Sequence, residues 1–433
     1  YIKNNAISGN IDIDIKINYN VNNKDKSCQI HNYPHSTNKK LNTYVSKHPY
    51  PKLNNVVYGD LHYHTNLTED MVEFGASLKS TLIASEMSGL DFYCNTDHSY
   101  DLDDKEGSWT ETDPELKKWN KSRKDIKILN NNNNYNSYII PSEELSLHNE
   151  KGRNIHALVL NNTGYIPGCG DSAEKPFNFK SNYNTKTINT VLENKSLCIA
   201  AHPFVPVPFL QWLFVKRGTW NINDILNKSI SGLQILNGSI DKGFLDGYKI
   251  WVNILLKGYK KYIYAGNDAH GNFNIYRQIK IPMINLYEKK EQLFGYYRTG
   301  VILDQGSNKN IDDTIKALKN GNCFLTNGPF LNIEVVNNDK VFRMGSTLES
   351  NYCNMNISVI SNPEFGKIKE IKVIKGVINS EREETYFIVK NINKYKYLNI
   401  IDIQNHNKSY YRCEVILIDK NIFAMTNPIW INN

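Results

Sequence analysis

Several histidines of this chain lie close to a carboxylate or to a second histidine. His62 and His64 are separated by one residue, and in an extended segment this spacing places both imidazoles on one face, where they can chelate one ion. Asp268 lies two positions before His270. Imidazole and carboxylate groups together form the donor set that zinc, iron and manganese accept. These residue types therefore predict a metal centre.

Short apolar runs that predict β-strands precede most of these residues. The predicted strands are residues 56–58, 91–94, 138–140, 155–160, 196–200, 232–236 and 262–265. Residues 78–87 have the pattern of a helix, and strands separated by helices indicate a parallel α/β sheet or barrel. His156 lies inside a predicted strand, whereas the other clusters follow one. Because parallel strands end on the same rim of a sheet, the clusters are expected to meet there.

The two ends of the chain have a different pattern. Residues 11–17 alternate apolar and charged side chains, which predicts a half-buried strand, and the Asn- and Lys-rich residues 22–55 predict a long loop. From about residue 322, closely spaced strands without long helices predict a β-sandwich. We therefore predict an N-terminal strand and linker (1–55), an α/β barrel with a connecting segment (56–320) and a β-sandwich domain (321–433).

The composition argues against several classes of partner. The formal net charge of +7 comes from lysines spread along the whole chain, so no nucleic-acid-binding surface is predicted. No apolar stretch approaches the roughly 20 residues of a membrane helix, so no membrane span is predicted. The seven cysteines are dispersed without a CxxC pair, so neither a disulfide framework nor a cysteine zinc site is expected. None of these features indicates a cellular compartment.

The ordered motifs DLHYHT, TDHS, SEE, IHAL, AHPF and GNDAH, between about residues 56 and 274, resemble those of the polymerase and histidinol phosphatase (PHP) superfamily. The resemblance implies a distorted (β/α)7 barrel with two or three divalent metal ions (Zn, Fe or Mn) at the carboxyl ends of its strands. The runs NCFLTNGP, YYRCEV and TNPI near the C-terminus resemble the branch of carbaryl and carbofuran hydrolases labelled CehA/McbA. In that branch a C-terminal β-sandwich follows the PHP barrel.

The resemblance implies nine metal ligands. His62, His64 and Asp268 would hold the first ion, and Glu144 would bridge the first and second ions. The second ion would be completed by His156 and His202, and the third would be held by Asp70, His98 and His270. Asp268 and His270 are also the candidates for proton transfer, because both lie at the end of one strand beside the ions. Alternatively, these two residues act only as metal ligands.

Two carboxylate assignments have an alternative next to them in the sequence. Ser142 replaces the glycine of the family's Gly-x-Glu element, so Glu143 stays an alternative to Glu144. The family does not keep one fixed spacing between its HxHT motif and the carboxylate of the third ion, so Glu69 stays an alternative to Asp70.

The remaining histidines and one aspartate have other predicted roles. His148 is an alternative to His156 as a ligand. Asp97 is predicted to orient a ligand histidine through the second ring nitrogen, and direct ligation is its alternative. The histidines predicted to be solvated are His31, His35, His48 and His406.

The predicted reaction is the metal-dependent hydrolysis of a small ester substrate, expected to be anionic. Phosphoester cleavage is the first candidate, because most characterised members of the superfamily cleave phosphate esters; Arg277 and Arg298 are then candidate anion-binding groups or surface ion pairs. The CehA/McbA branch makes carboxylester or carbamate hydrolysis the alternative. A different class of function is a glycan- or surface-binding protein with an inert barrel. The apolar residues 203–215 would form a lid or wall of the pocket, or would pack in the interior.

Overall fold

The computed structural model of the chain describes residues 7–29, 41–68, 75–108, 111–168, 181–271, 278–281, 284–287, 292–419 and 421–433. Within these residues the fold is mixed α/β and strands predominate. The α/β class expected from the sequence is confirmed at this level. In the described part of the chain, no helix combines the length and the apolar character needed to cross a membrane.

The described elements follow one another in three groups. The N-terminal and central strands are β1 (Gly9–Ile13), β2 (Lys16–Val21), β3 (Lys24–Gln29), β4 (Leu41–Val45), β5 (Val56–His64), β6 (Phe92–Asn95), β7 (Tyr138–His148), β8 (Asn154–Leu160), β9 (Leu197–Ala200), β10 (Gly232–Asn237), β11 (Tyr262–Gly266), β12 (Ala269–His270), β13 (Gln278–Ile281) and β14 (Ile284–Tyr287). The later strands are β15 (Arg298–Ile302), β16 (Cys323–Thr326), β17 (Phe330–Asn337), β18 (Lys340–Arg343), β19 (Thr347–Glu349), β20 (Tyr352–Ile360), β21 (Ile368–Val377), β22 (Glu384–Lys394), β23 (Lys396–Gln404), β24 (Ser409–Leu417), β25 (Phe423–Thr426) and β26 (Ile429–Asn432). The helices are α1 (Leu78–Met87), α2 (Ser99–Leu102), α3 (Lys117–Asn130), α4 (Phe209–Phe214), α5 (Ile222–Leu226), α6 (Lys242–Leu256) and α7 (Ile311–Lys319), and Ile188–Thr190 form a turn of 3-10 helix.

Seven strands, β5 to β11, lie side by side in chain order, and four of the predicted site residues, His62, His64, Glu144 and His156, lie in them. Every strand predicted between residues 56 and 265 is present, and α1 has the predicted bounds. Strands β5, β6 and β7 are parallel, and so are β9, β10 and β11. Helix α6 covers part of this sheet, with Trp251 and Leu255 buried against the apolar side chains of β10. Burial of such an apolar face fixes the helix on the sheet.

Strand β8 runs antiparallel to both of its neighbours, β7 and β9. It follows β7 through a short turn at residues 149–153, and a connection of this length can only join antiparallel strands. The alternation of strands and helices expected from the sequence is interrupted at this point. His156 therefore reaches the site from the middle of a strand and not from a carboxyl end.

The sheet curls until the residues after β11 meet β5. The backbone N–H of Asp268 donates to the carbonyl of His62 at 2.8 Å. Strand β12 then pairs in parallel with the end of β5, and His270 lies opposite His64. The carboxyl ends of the first and last of the seven strands are therefore adjacent, which brings their histidines and carboxylates together.

The C-terminal part consists of strands in the described residues after α7, as predicted. Strand β15 pairs antiparallel with β5, and β16, β25, β24, β21 and β22 extend the same sheet. A second sheet, in the order β18-β17-β20-β23, packs on it, and one apolar core includes Ile333, Met355, Val373 and Val415. Backbone pairing thus runs without a break from the strands that hold the site into the C-terminal part.

The N-terminal residues differ from the prediction. The strand predicted over residues 11–17 is interrupted after β1, and the predicted loop contains β3 and β4. Strands β2 and β3 form a hairpin through Asn22 and Asn23, whose φ angles are 53° and 61°. Asparagine tolerates this left-handed conformation, and two such residues match the twist of a two-residue hairpin turn. The asparagines that predicted a loop form a turn between two strands here.

A fully buried arginine joins β24 to α6. Arg412 donates to both carboxylate oxygens of Glu383 (Nε–Oε1 2.8 Å, Nη2–Oε2 2.6 Å) and also contacts Glu414 and the hydroxyl of Tyr248 on α6. Tyr248 donates to Glu414 at 2.8 Å. Burial opposes the charged form of Arg412, but Glu414 and Glu383 raise its pKa well above the ordinary value. A buried ionic network therefore attaches the C-terminal part to α6.

Replacement of Arg412 by alanine should lower the free energy of unfolding by about 3–5 kcal/mol, because it leaves the largely buried carboxylates of Glu383 and Glu414 without their cation. Chemical denaturation followed by circular dichroism would measure the change. Glu384→Ala is the matched control, since Glu384 is 64% exposed and lies 3.9 Å from Lys375; it should change stability by at most about 1 kcal/mol. Equal effects of the two substitutions would contradict the role given to the network.

Candidate metal centre

Glu144 on β7 lies between five histidines. Its carboxylate oxygens are close to the ring nitrogens of His156 (Oε1–Nδ1 2.7 Å), His202 (Oε1–Nε2 2.8 Å), His98 (Oε2–Nδ1 3.0 Å), His62 (Oε2–Nε2 3.4 Å) and His64 (Oε2–Nε2 3.4 Å). Each oxygen therefore faces its own set of imidazoles. A carboxylate in this position can bridge two cations, as in two-metal sites.

Asp268 is the second carboxylate of the cluster. Its Oδ1 lies 3.3 Å from Nε2 of His62 and 3.2 Å from Nε2 of His64, and these two ring nitrogens are 3.1 Å apart. Glu144 points at the same place, so four donor atoms converge within 4.8 Å of one another. Mixed imidazole and carboxylate donors at this spacing fit a divalent transition-metal ion.

Two further groups of donors share residues with this one. His64, His98 and His270 form one group, and His98, Glu144 and His156 form the other, each within 4.8 Å. The rings of His64 and His270 are stacked, with centroids 4.2 Å apart and an interplanar angle of 2°. The buried groups thus lie within metal-binding distance in three overlapping sets, which suits more than one ion.

The backbone is strained at two residues that follow strands, His202 and Asp268. His202, after β9, has φ 60°, and Asp268, after β11, has φ 54°. This left-handed conformation is uncommon for residues with a Cβ, and residues held in it concentrate at functional sites. The conformation turns both side chains out of the regular strand alternation and towards Glu144.

The electrostatics of the cluster favour a cation. Burial opposes protonation of His62, but Asp268 and Glu144 raise its pKa to about 9. Burial also opposes ionisation of Glu144, yet the histidines around it, His156 and His62 foremost, hold its pKa well below the ordinary value. His62 and His64 likewise hold the pKa of Asp268 well below its ordinary value, so both carboxylates are charged and need hydrogen-bond donors or a cation beside them.

Two side-chain amides connect and orient His62 and Asp268, both predicted metal ligands. His62 Nδ1 lies 2.9 Å from Oε1 of Gln234, Gln234 Nε2 donates to Oδ1 of Asn237 at 2.7 Å, and Asn237 Nδ2 donates to Oδ2 of Asp268 at 3.1 Å. An amide oxygen can only accept, so the proton of the His62 ring lies on Nδ1. Nε2 of His62 and Oδ1 of Asp268 are left to face the other donors. Hydrogen bonds to metal ligands commonly fix the orientation of those ligands in this way.

Two other buried aspartates fasten the loops of the site. Asp60 accepts hydrogen bonds from the backbone of His62, Asn267 and Gly295 and from the Asn267 amide, and burial nevertheless raises its pKa to about 6. Asp97 accepts from the backbone and hydroxyl groups of Thr65 and Thr68. The Thr68 hydroxyl lies 3.2 Å from Nδ1 of His64. Asp97 is therefore connected to His64, a predicted ligand, through the hydroxyl of Thr68.

The structure places the carboxylate alternatives unequally. Glu144 is in the cluster, whereas Glu143, its neighbour on the strand, projects from the opposite face, where Arg123 partly offsets the burial that raises its pKa to about 8. Asp70 and Glu69 lie outside the described residues.

The other candidates have contacts of their own. His148 accepts from the backbone N–H of Ser181 at 3.1 Å and does not belong to the donor groups. Arg298 is buried and stacks on Tyr50, so neither anion binding nor a surface ion pair describes it. His48 and His406 are exposed, as predicted. His31, His35 and Arg277 lie outside the described residues.

A cavity of about 290 Å³ opens beside the cluster. Its lining includes His156, His202, Asp268, Arg217 and Trp220. The guanidinium of Arg217 donates to Nε2 of His156 at 2.6 Å. The cavity therefore has a cationic group and the carboxylate of Asp268 on its wall, and it gives a small molecule access to the donors.

The sequence prediction missed Arg217 and the Gln234–Asn237 pair. Asn237 is the last residue of β10 and Gln234 lies three positions before it, so the rule that polar groups at strand ends form the site applies to Asn237 as well. Arg217 had no signal, because it follows the short helix α4 and reaches His156 only through the fold.

No protein-family model and no curated protein matches this chain. The resemblance to the PHP superfamily stays a prediction based on the motifs quoted above. The structure itself shows a buried cluster of histidines and carboxylates within metal-binding distance.

Replacement of Gln234 by leucine should weaken metal binding by about 10- to 100-fold, because the His62 ring and the Asp268 carboxylate lose the contacts that orient them. Gln234→Glu keeps an acceptor for His62 and should lose less affinity. Isothermal titration of the metal-free protein with Zn²⁺ or Mn²⁺ would measure both. Wild-type affinity in Gln234→Leu would show that the two amides have no part in metal binding.

Proposed function

We propose that this chain is a metal-dependent hydrolase, with phosphoester cleavage as its first candidate reaction. The observation that supports it is the position of Glu144, whose two oxygens face separate sets of histidines within 3.4 Å. Zinc, iron and manganese all accept these donors. The proposal includes the PHP assignment: a distorted (β/α)7 barrel, supported by the pairing of β12 with β5, followed by a β-sandwich.

Bound divalent ions would supply an acidified water and neutralise charge on the ester oxygens. The chain's own residues fix the donors and define access. Asp268 is 22% exposed whereas Glu144 is 1% exposed, so of the two carboxylates Asp268 is the one a substrate can contact. We therefore assign Asp268, with His270 beside it on β12, as the group that holds a proton during the reaction, in addition to its contact with the metal position.

The cavity wall supports an anionic substrate. Arg217 is a permanent cation, and its planar guanidinium suits the two oxygens of a phosphoryl group. Carboxylester or carbamate hydrolysis is the second candidate, favoured by the apolar part of the same wall, Val205 to Pro208 and Trp220. Hydrolysis rates on nitrophenyl phosphates and nitrophenyl carboxylates, measured after loading with Zn²⁺, Fe²⁺ or Mn²⁺, distinguish the two reactions.

Removal of metal with a chelator should abolish hydrolysis, and re-addition of the right ion should restore it. Loss of a residue that only contacts a metal ligand reduces activity by about 10- to 100-fold. His62→Ala and Glu144→Gln should each reduce kcat/KM by more than this, because each removes a donor. His148→Ala is the matched control, a histidine on the same strand as Glu144 that lies outside the donor groups. Full activity of the chelated protein, or of His62→Ala, would overturn the proposal.

A further inference from the structure

The helix α4 exposes apolar side chains over its whole surface. Of its six residues, five are large and apolar, and their exposed fractions are Phe209 70%, Leu210 64%, Trp212 44%, Leu213 49% and Phe214 64%. Interior packing, one of the two predictions for residues 203–215, is therefore wrong for this helix. Exposed apolar surface concentrated in one place marks a site of contact with another molecule.

Helix α4 adjoins the cavity beside the candidate metal centre. The segment Val205 to Pro208 and Gln211 of α4 line that cavity together with His202 and Asp268. The helix thus stands at the mouth of the cavity, and the chain that leads to it forms the cavity wall. The cavity therefore leads from the donors to the base of α4.

Basic groups lie at the base of the helix. Arg153 donates to the carbonyl of Trp212 at 2.6 Å, and its guanidinium is 4.1 Å from the centre of the Trp212 ring. Lys216 and Arg217 follow the helix directly, and Arg217 lines the cavity. The mouth of the site therefore combines cationic groups and an apolar helix, beside the carboxylates of Asp241 and Asp268. The cations complement an anionic head, and the apolar helix complements a hydrocarbon group.

We infer that the substrate is an amphiphilic anionic ester, whose charged ester group meets Arg217 and the metal centre and whose hydrocarbon part packs on α4 and residues 205–208. The inference rests on the proposed hydrolase function and adds the substrate class. The apolar surface gives the enzyme affinity that grows with chain length, since each methylene removed from water improves binding by up to about fourfold.

Hydrolysis of butyl, hexyl and octyl phosphate, below their micelle concentrations, tests the chain-length dependence. KM should fall at least about tenfold from butyl to octyl. In Phe209→Ser/Phe214→Ser the trend should be lost. The matched control is Leu398→Ser/Ile400→Ser on β23, where the exposed fractions are 60% and 66%, and it should keep the wild-type trend. An unchanged trend in the α4 variant would overturn the inference.

A binding experiment separates the inference from the proposed function. Octyl phosphate and butyl phosphate are titrated into the protein, and the fluorescence change that is lost in Trp212→Phe reports contact with α4. If no ester is hydrolysed, the hydrolase proposal fails, but tighter binding of octyl phosphate through α4 still supports the amphiphile site. Equal binding of both phosphates overturns it. Binding of anionic phospholipid vesicles through α4 without any chain-length dependence also overturns it, and identifies the helix as a membrane-surface contact.

Discussion

A carboxylate buried among imidazoles is the constraint on which the site depends. Glu144 is 1% exposed, and a charge removed from water requires hydrogen-bond donors or a cation beside it. Asp60 and Asp97, also buried, are surrounded by N–H and O–H donors and fasten loops. Glu144 and Asp268 are instead surrounded by ring nitrogens, which compensate a negative charge only when they are protonated or share a cation. The donor environment thus distinguishes the carboxylates that fasten loops from those that lie within metal-binding distance.

The histidines and carboxylates of the cluster meet for two reasons. The sheet curls, and the backbone adopts a left-handed conformation after β9 and after β11. Left-handed residues cost of order 1–3 kcal/mol each, and His202 and Asp268 both adopt this conformation. The pairing of β12 with β5 holds Asp268 in place. Strand β15, which leads into the C-terminal strands, pairs with the earlier residues of β5, Val56 to Gly59. The C-terminal part therefore supports the strand that contributes His62 and His64.

The floor and the mouth of the site have opposite character. The floor is charged, buried and held by short hydrogen bonds, whereas the mouth ends in α4, none of whose residues is buried. Apolar side chains left in water have a free-energy cost that contact with another apolar group removes. Because α4 lies beside the cavity, the hydrocarbon part of a bound ligand would remove the apolar surface of the helix from water. The same few residues, 203–217, contain both the wall and the cation Arg217.

The sequence by itself determined the fold class, the seven strands between residues 56 and 265, and most of the cluster, because strand periodicity and the metal-type residues after each strand are local properties. His62, His64, His98, His202, Asp268 and His270 were found in this way, as was His156 within its strand. The motif resemblance put Glu144 ahead of Glu143 as a donor, and the tertiary structure decided between them, since adjacent strand residues project oppositely. The tertiary structure alone revealed the antiparallel β8, the Gln234–Asn237 contacts and Arg217, because these depend on residues distant in sequence that meet when the sheet curls.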